Sequence, residues 1–180
     1  MHYVEEQLIA SYAINSKFFG IICQVRNKMD AKDRQIIRAL QRNGRMTNQD
    51  LAAEVNLSPS PCLRRLRNLE DNGTLRGYSA EVDAKAYGLP ITVFVRVRLE
   101  RHNEDDVRRF ESRIHAIEEV LECHVLTGAS DYQLRVVVPG LDAYEDFIRH
   151  RIHPIGGIAS IDTSFVYSTV KKTNVFPTID

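Results

Sequence analysis

From Asp30 onward the apolar positions recur at helical spacing. In DAKDRQIIRALQRNG, Ile36, Ile37 and Leu40 fall on one face of a helix, and Asn43-Gly44 is placed to end it as a C-cap. Thr47 and Asp50 then resemble a capping box in which the hydroxyl accepts from the third helical N–H, and Leu51, Ala52 and Val55 form a compact apolar face. Asn56 tolerates a left-handed backbone, and Leu57-Ser58 leads into SPSPCLRRLRNLEDNG, residues 58–73. At about 100° per residue, Cys62, Leu63, Leu66 and Leu69 cluster on one side of this third helix. Ser60, Pro61, Arg64 and Asn68 lie opposite, with Arg65 and Arg67 on the flanks. Its start has two solutions. Either Ser58 is the N-cap, with Pro59 at the first helical position and Pro61 at the third, or Ser60 is the N-cap and Pro61 comes first. Both put proline where a backbone N–H has no intrahelical partner. Under the first, Leu57 and Cys62 form a hydrophobic staple, which makes Cys62 a small buried hydrophobe. Gly73 is placed to end the helix, and TLRGYSAEV (74–82) to form a short strand or wing carrying Arg76.

After Gly88-Leu89-Pro90 the period changes to two. Ile91, Val93, Val95, Val97 and Leu99 alternate with Thr92, Phe94, Arg96, Arg98 and Glu100, the pattern of a strand with one well-buried face. Val107, Phe110, Ile114 and Ile117 return to helical spacing. The strands VLECHVLT (120–127) and DYQLRVVV (131–138) follow, joined across Gly128-Ala129-Ser130, and Pro139-Gly140 stops the second. Asp142 with Glu145 is expected to cap a helix bearing Tyr144, Phe147, Ile148 and Ile152, and IASIDTSFVYSTV (158–170) supplies a last strand. The fold class is therefore α+β: an N-terminal winged helix-turn-helix followed by a ferredoxin-like βαββαβ unit. Two helices on one face of a four-stranded sheet leave the other uncovered. A face rich in Val, Phe and Ile would need a partner, so a dimer is expected. The expected divisions are an N-terminal extension over 1–28, peripheral or an appended helix, then 29–78 as the helix-turn-helix domain, 79–90 as linker and 91–180 as the sheet domain.

Composition adds direction to this outline. With 43% hydrophobic and 27% charged residues the chain has the balance of a soluble globular protein. Cys23, Cys62 and Cys123 stand far apart, which argues against a disulfide framework or zinc ribbon and suits a reducing, cytoplasmic address. No apolar run approaches the roughly 20 residues of a spanning helix, and FFGIIC (18–23) lacks the features of a signal peptide. The net charge is zero but unevenly spread: residues 30–78 hold nine basic and six acidic side chains, and residues 79–180 twelve and sixteen. A polyanion would meet the front half. On the exposed side of the third helix, arginine can grip guanine through two hydrogen bonds in the major groove, and short polar groups suit phosphate contact. The position behind a helix-turn-helix turn favours that reading over a merely solvated face.

Taken together, MDAKDRQIIRALQRNGR, LSPSPCLRRLRNLEDNGTLRGY, ECHVLTGASDY and TSFVYSTVK resemble the leucine-responsive and asparagine-responsive (Lrp/AsnC, feast/famine) regulators over nearly all of residues 29–176. The resemblance implies a cytoplasmic transcription regulator that binds double-stranded DNA and responds to a small effector, commonly an amino acid. It also implies dimers, often assembling further, with 29–78 as the DNA-binding domain and the ferredoxin-like unit of 91–180 as the effector domain for ligand sensing, dimerisation and oligomerisation. On that likeness and the helix pattern, DNA contacts are expected from Ser58, Ser60, Pro61, Arg64, Arg65, Arg67, Asn68 and Arg76. The family's effector loop reads TGASDY here, so Gly128 would let the backbone approach a ligand and Asp131 would receive an ammonium group, with Val125, Thr163, Ser164 and Val166 shaping the pocket. The bland alternative is that Gly128 only makes a hairpin turn. Ala129-Ser130 stands where many relatives carry an acidic and an aromatic residue, and Ser164 where an aromatic is frequent, so the effector's identity is open.

Other chemistry is thin, and no cofactor, metal or catalytic set is expected. His150 and His153 lack a clustered third ligand, and Cys123 and His124 point to opposite faces of a strand. There is no Gly-rich phosphate loop and no serine-histidine-aspartate pattern. One enzyme alternative shares the architecture, a haem-pathway decarboxylase that would use His102, His115 or His124 in an inter-subunit cleft. The arginine face of the third helix fits DNA better.

Overall fold

Local capping chemistry sets the start of the first two described helices. The computed structural model describes residues 29–179, so the expectation for residues 1–28 lies outside the described residues. Asp30 accepts from the Asp33 N–H at 2.9 Å while Asp33 accepts from the Asp30 N–H at 3.2 Å, a reciprocal capping box that opens α1, Ala31–Arg42. Thr47 accepts from the Asp50 N–H at 3.2 Å and opens α2, Asn48–Glu54, as the spacing predicts. Asn56 takes φ 53°, the left-handed turn between α2 and α3. Helix α3 runs Pro59–Asp71 with Ser58 as N-cap, so the first of the two solutions holds. The Ser58 hydroxyl makes no capping bond, and position, together with two prolines, defines the start.

Ile36, Leu40, Leu51, Ala52, Val55, Cys62 and Leu69 are buried together, with Leu57 and Leu66 packed on the cluster. Cys62 is thus a core residue, and Leu63 is only half-buried. Gly73 at φ 72° follows α3. Two expectations change here. Helix α1 ends with Asn43 extended rather than on a left-handed glycine, and a Cβ added at Gly44 would make only ordinary contact with the Tyr78 ring. Residues 74–82 form no strand within the single chain. Instead the Leu75 N–H returns to the Leu69 carbonyl at 2.8 Å, and the Tyr78 hydroxyl donates to Glu70 at 2.9 Å. Burial and the Glu70 carboxylate push the Tyr78 phenol up to about 12.

The chain clusters into two units, the first reaching Ala80 and the second spanning Glu81–Val170. Lys171 onward clusters with the first unit, whereas the sequence divisions assigned 91–180 to the sensing domain. In the second unit, β1 (Ile91–Leu99), α4 (Glu104–His115), β2 (Val120–Val125), β3 (Tyr132–Val138), α5 (Leu141–Phe147) and β4 (Ile158–Phe165) follow in the expected order. The sheet runs β2-β3-β1-β4, antiparallel throughout. Val93, Val95 and Val97 pair with Val136, Leu134 and Tyr132, and all six are buried under the helices with Phe110, Ile114 and Phe147.

Three further expectations are corrected. Gly140, not Asp142, stands at the N-cap of α5, and no side chain caps it. A π turn over Ile148–Ile152 continues that helix and brings Ile152 into the core. Strand β4 ends at Phe165, and Tyr167 and Val170 are fully exposed. The open face of the sheet is also not an apolar one. It carries Phe94 and Val137, but Arg96 faces Asp162 at 3.6 Å, and Glu122 lies between Arg135 at 2.6 Å and His124 at 3.3 Å. The valines of β1 all point the other way, so the apolar-face argument for a dimer fails. Leu134 is wholly buried at the centre of the sheet. Leu134→Ala is expected to destabilise the second unit by about 2–5 kcal/mol, read as a lower urea midpoint by tryptophan-independent far-UV circular dichroism.

Candidate DNA-reading face and effector loop

Because Cys62 and Leu69 turn inward, the outer side of α3 is fixed by the core. Ser60, Pro61, Arg64, Arg67 and Asn68 are exposed, as are Ser58 before the helix and Arg76 after it. Neither Arg64 nor Arg67 has a carboxylate within ion-pair distance among the described residues. Arg65 is different. Its guanidinium donates to Asp30 at 2.6 Å and to Asp33 at 2.8 Å, tying α3 to the cap of α1. Of the arginines expected to contact DNA, this one is already spent inside the protein. A second crosslink, unforeseen from sequence, runs from the Asn48 side-chain amide to the Pro59 carbonyl at 3.0 Å and holds the first turn of α2 against that of α3. Lys32 adds a third, from its ammonium to the Val55 carbonyl at 2.5 Å.

The Asp30 carboxyl is held below the ordinary carboxylate range, first by the Asp33 N–H and then by Arg65. A lowered folded-state value contributes stability at pH above the unfolded value, and that contribution is lost as pH falls through the folded one. Asp30→Asn is therefore expected to flatten the acid limb of the wild-type stability profile below about pH 4. Thermal melts at half-unit pH steps would show it, and parallel profiles for the two proteins would contradict the assignment.

At the effector loop, Gly128 takes φ 126° with open space where a Cβ would stand. Both oxygens of Asp131 are engaged: Oδ2 accepts from the Leu99 N–H at 2.7 Å, and Oδ1 lies 2.9 Å from His102 Nε2. Its own N–H and carbonyl bond to Val97 and Leu126. Asp131 thus closes the end of β1 around the loop. Val125 is exposed at the end of the edge strand β2. The other expected pocket residues lie elsewhere. Thr163 faces the helices and bonds to the Tyr144 hydroxyl at 2.5 Å, Ser164 pairs opposite Phe94 on the open face, and the Val166 N–H bonds to the Thr92 carbonyl at 2.9 Å. From Leu99 to Phe94 or Thr92 is roughly 16–23 Å along the strand. A single chain does not bring the two groups together.

The histidines considered for other chemistry are dispersed: His102 at Asp131, His115 at the last turn of α4, His124 beside Glu122, His150 beside Asp146 at 3.5 Å, and His153 exposed. Among the described residues no group of three His, Cys, Asp or Glu could hold a metal ion, and no helix is long and apolar enough to cross a membrane. Because the Asp131 carboxylate accepts from the buried-strand Leu99 N–H, Asp131→Ala is expected to cost about 1–3 kcal/mol. Asp131→Asn, which keeps an acceptor, should retain most of the stability in the same denaturation assay.

A helix-turn-helix with an outward arginine face, carried on one chain with a βαββαβ sheet unit, defines a DNA-binding regulator with a separate sensing domain. Comparison with known proteins gives the same division. Residues 29–76 match the family model for winged helix-turn-helix DNA-binding domains, and residues 92–176 match that for the Lrp/AsnC ligand-binding domain. The Bkd operon transcriptional regulator of Pseudomonas aeruginosa is 41% identical over 150 residues, covering 83% of this chain and 98% of that one. The leucine-responsive regulatory protein of Escherichia coli K12 is 35% identical over 146 residues, covering 81% and 89%. A transcriptional regulator of Neisseria meningitidis solved with L-Met superposes with a TM-score of 0.79 at 37% identity, covering 83% and 97%. The chain belongs to the Lrp/AsnC family of transcriptional regulators, with a DNA-binding and a ligand-binding domain. The comparisons lend no support to the decarboxylase alternative.

Proposed function

We propose that α3 reads the major groove through Arg64, Arg67 and Asn68, with Ser58, Ser60 and Pro61 at its leading end and Arg76 beyond it meeting the phosphate backbone. Arg65 positions the helix from behind. The observation that carries this reading is the split among three arginines of one helix. Among the described residues Arg64 and Arg67 keep exposed side chains without carboxylate partners, while Arg65 is neutralised by Asp30 and Asp33. A guanidinium without an internal partner can make the bidentate contact to guanine.

The effector is taken to be a free amino acid, the class to which the leucine-responsive relatives respond and to which the L-Met of the Neisseria meningitidis complex belongs. Its site is proposed at the Gly128 loop, where the backbone of Gly128, Ala129 and Ser130 offers polar groups and Asp131 fixes the loop's base. Thr163, Ser164 and Val166 can join that site only from a second copy of the chain, since in one copy they lie at the other end of β1. A homodimer is thus part of the proposal, and effector binding would act by altering the spacing of the two reading helices. A cytoplasmic location follows from this role.

Fluorescence polarisation with a duplex probe across a salt series tests the DNA reading. Affinity is expected to fall steeply as salt rises. Arg64→Ala should weaken binding by about tenfold or more, whereas Arg65→Ala should act mainly through a lower melting temperature. No duplex binding at low salt would overturn the proposal. A thermal-shift panel of the twenty amino acids should return one class that raises the melting temperature.

A further inference from the structure

Residues after Val170 leave the second unit and cluster with the first. There they meet two side chains of α1 one turn apart. The Gln41 amide donates through Nε2 to the Asn174 carbonyl at 2.7 Å and accepts through Oε1 from the Phe176 N–H at 3.0 Å. Arg38 donates to the Phe176 carbonyl at 2.5 Å. In an extended segment, the carbonyl of one residue and the N–H of the second one on project to the same edge. One side-chain amide therefore takes the place of a neighbouring strand. Val175 between them is half-buried, and its N–H is satisfied locally by the Thr173 hydroxyl at 3.2 Å. All three contacts are to main chain, so α1 reads the tail's extended shape rather than its side chains.

We propose that Arg38 and Gln41 form a peptide dock on α1 and that residues 171–179 are a strap seated in it, which ties the end of the sensing unit to the DNA-binding unit. Two connections, not one, then join the units along the chain: the segment at Ala80-Glu81 and the strap. The strap begins five residues after Val166, at the β4 end to which the effector reading assigns Thr163, Ser164 and Val166, and this part of the inference rests on that reading. Residues 166–170, which form neither helix nor strand, are the short connection through which a shift of the β4 end would be passed to the docked segment. Because Arg38 and Gln41 lie on the first helix of the three, the dock leaves the outward face of α3 free.

The full chain is compared with Gln41→Ala, Arg38→Ala and a form ending at Val170, by amide hydrogen exchange with mass spectrometry and by duplex affinity in the polarisation assay. Exchange in the 171–179 peptide should rise about tenfold in Gln41→Ala, the effect of losing hydrogen bonds of ordinary net strength. Duplex affinity of Gln41→Ala and of the Val170-ended form should shift in the same direction by about threefold or more. Far-UV circular dichroism and melts confirm that the variants fold, and Gln41→Glu, which keeps the acceptor for Phe176 and loses the donor to Asn174, should fall between. Unchanged exchange in Gln41→Ala would overturn the dock. Raised exchange with unchanged duplex affinity in both altered forms would overturn the coupling. A wild-type chain that binds no duplex would sink the regulator reading and the coupling with it, while the exchange result still decides the dock.

Discussion

Strand β1 is hydrogen-bonded along both edges, to β3 on one side and β4 on the other, and its alternation decides which way every side chain in the sheet points. Val93, Val95 and Val97 are wholly buried. A slip of one residue would exchange them with Phe94, Arg96 and Arg98, placing two guanidinium groups in the core at a cost no packing could offset. The register that avoids this sets Tyr132, Leu134 and Val136 inward on β3 and Ile161, Thr163 and Phe165 inward on β4. It also brings the Asp131 carboxylate to the Leu99 N–H and leaves Ser164 on the open face. The candidate effector residues are where they are because β1 must bury its valines.

In the first unit an analogous role falls to the inward side of α3. Cys62 and Leu69 make the rotation of the helix a matter of burial, and the ion pairs of Arg65 with Asp30 and Asp33 then hold its position against α1. These pairs are partly exposed, so each alone contributes little. Their value lies in geometry: two carboxylates already fixed by a reciprocal capping box receive one planar guanidinium. The ion pair through which Arg65 helps to lower the Asp30 carboxyl also takes Arg65 off the outward face. Three arginines within four residues thus divide into one that builds the reading helix and two left free to read.

What was legible in the sequence was local. Thr47 with Asp50, Asn56 in a left-handed turn, the prolines at the head of α3, the Gly73 stop and the period-two run of β1 each rest on interactions within a few residues, and each is present in the structure. The misreadings arose where several residues competed for a local role or where the partner was distant. Asp142 and Glu145 have cap chemistry, yet Gly140 provides the extended backbone that begins α5. Asn43-Gly44 has the chemistry of a helix stop, yet α1 ends on an extended Asn43 with no left-handed glycine. Helical phase groups Arg65 with its neighbours and cannot show that Asp30 and Asp33 stand beside it. Composition suggests an apolar open sheet face, whereas Arg96 and Arg98 in the alternation of β1 put charge there.

The effector loop shows how such distant partners bear on recognition. Asp131 was expected to meet a ligand's ammonium group, but its two oxygens and both its backbone groups are occupied within the fold. An ammonium arriving there would have to share the carboxylate with His102 and the Leu99 N–H, and an acidic group that already satisfies a buried-strand donor gives a weaker and less directional contact than a free one. In the proposed site, discrimination among amino acids would rest on the backbone exposed at Gly128 and on the small side chains of Ala129 and Ser130. Bulkier residues at these two positions would fill the loop. With Asp131 already accepting from the Leu99 N–H, its part in that site would be to hold the base of the loop.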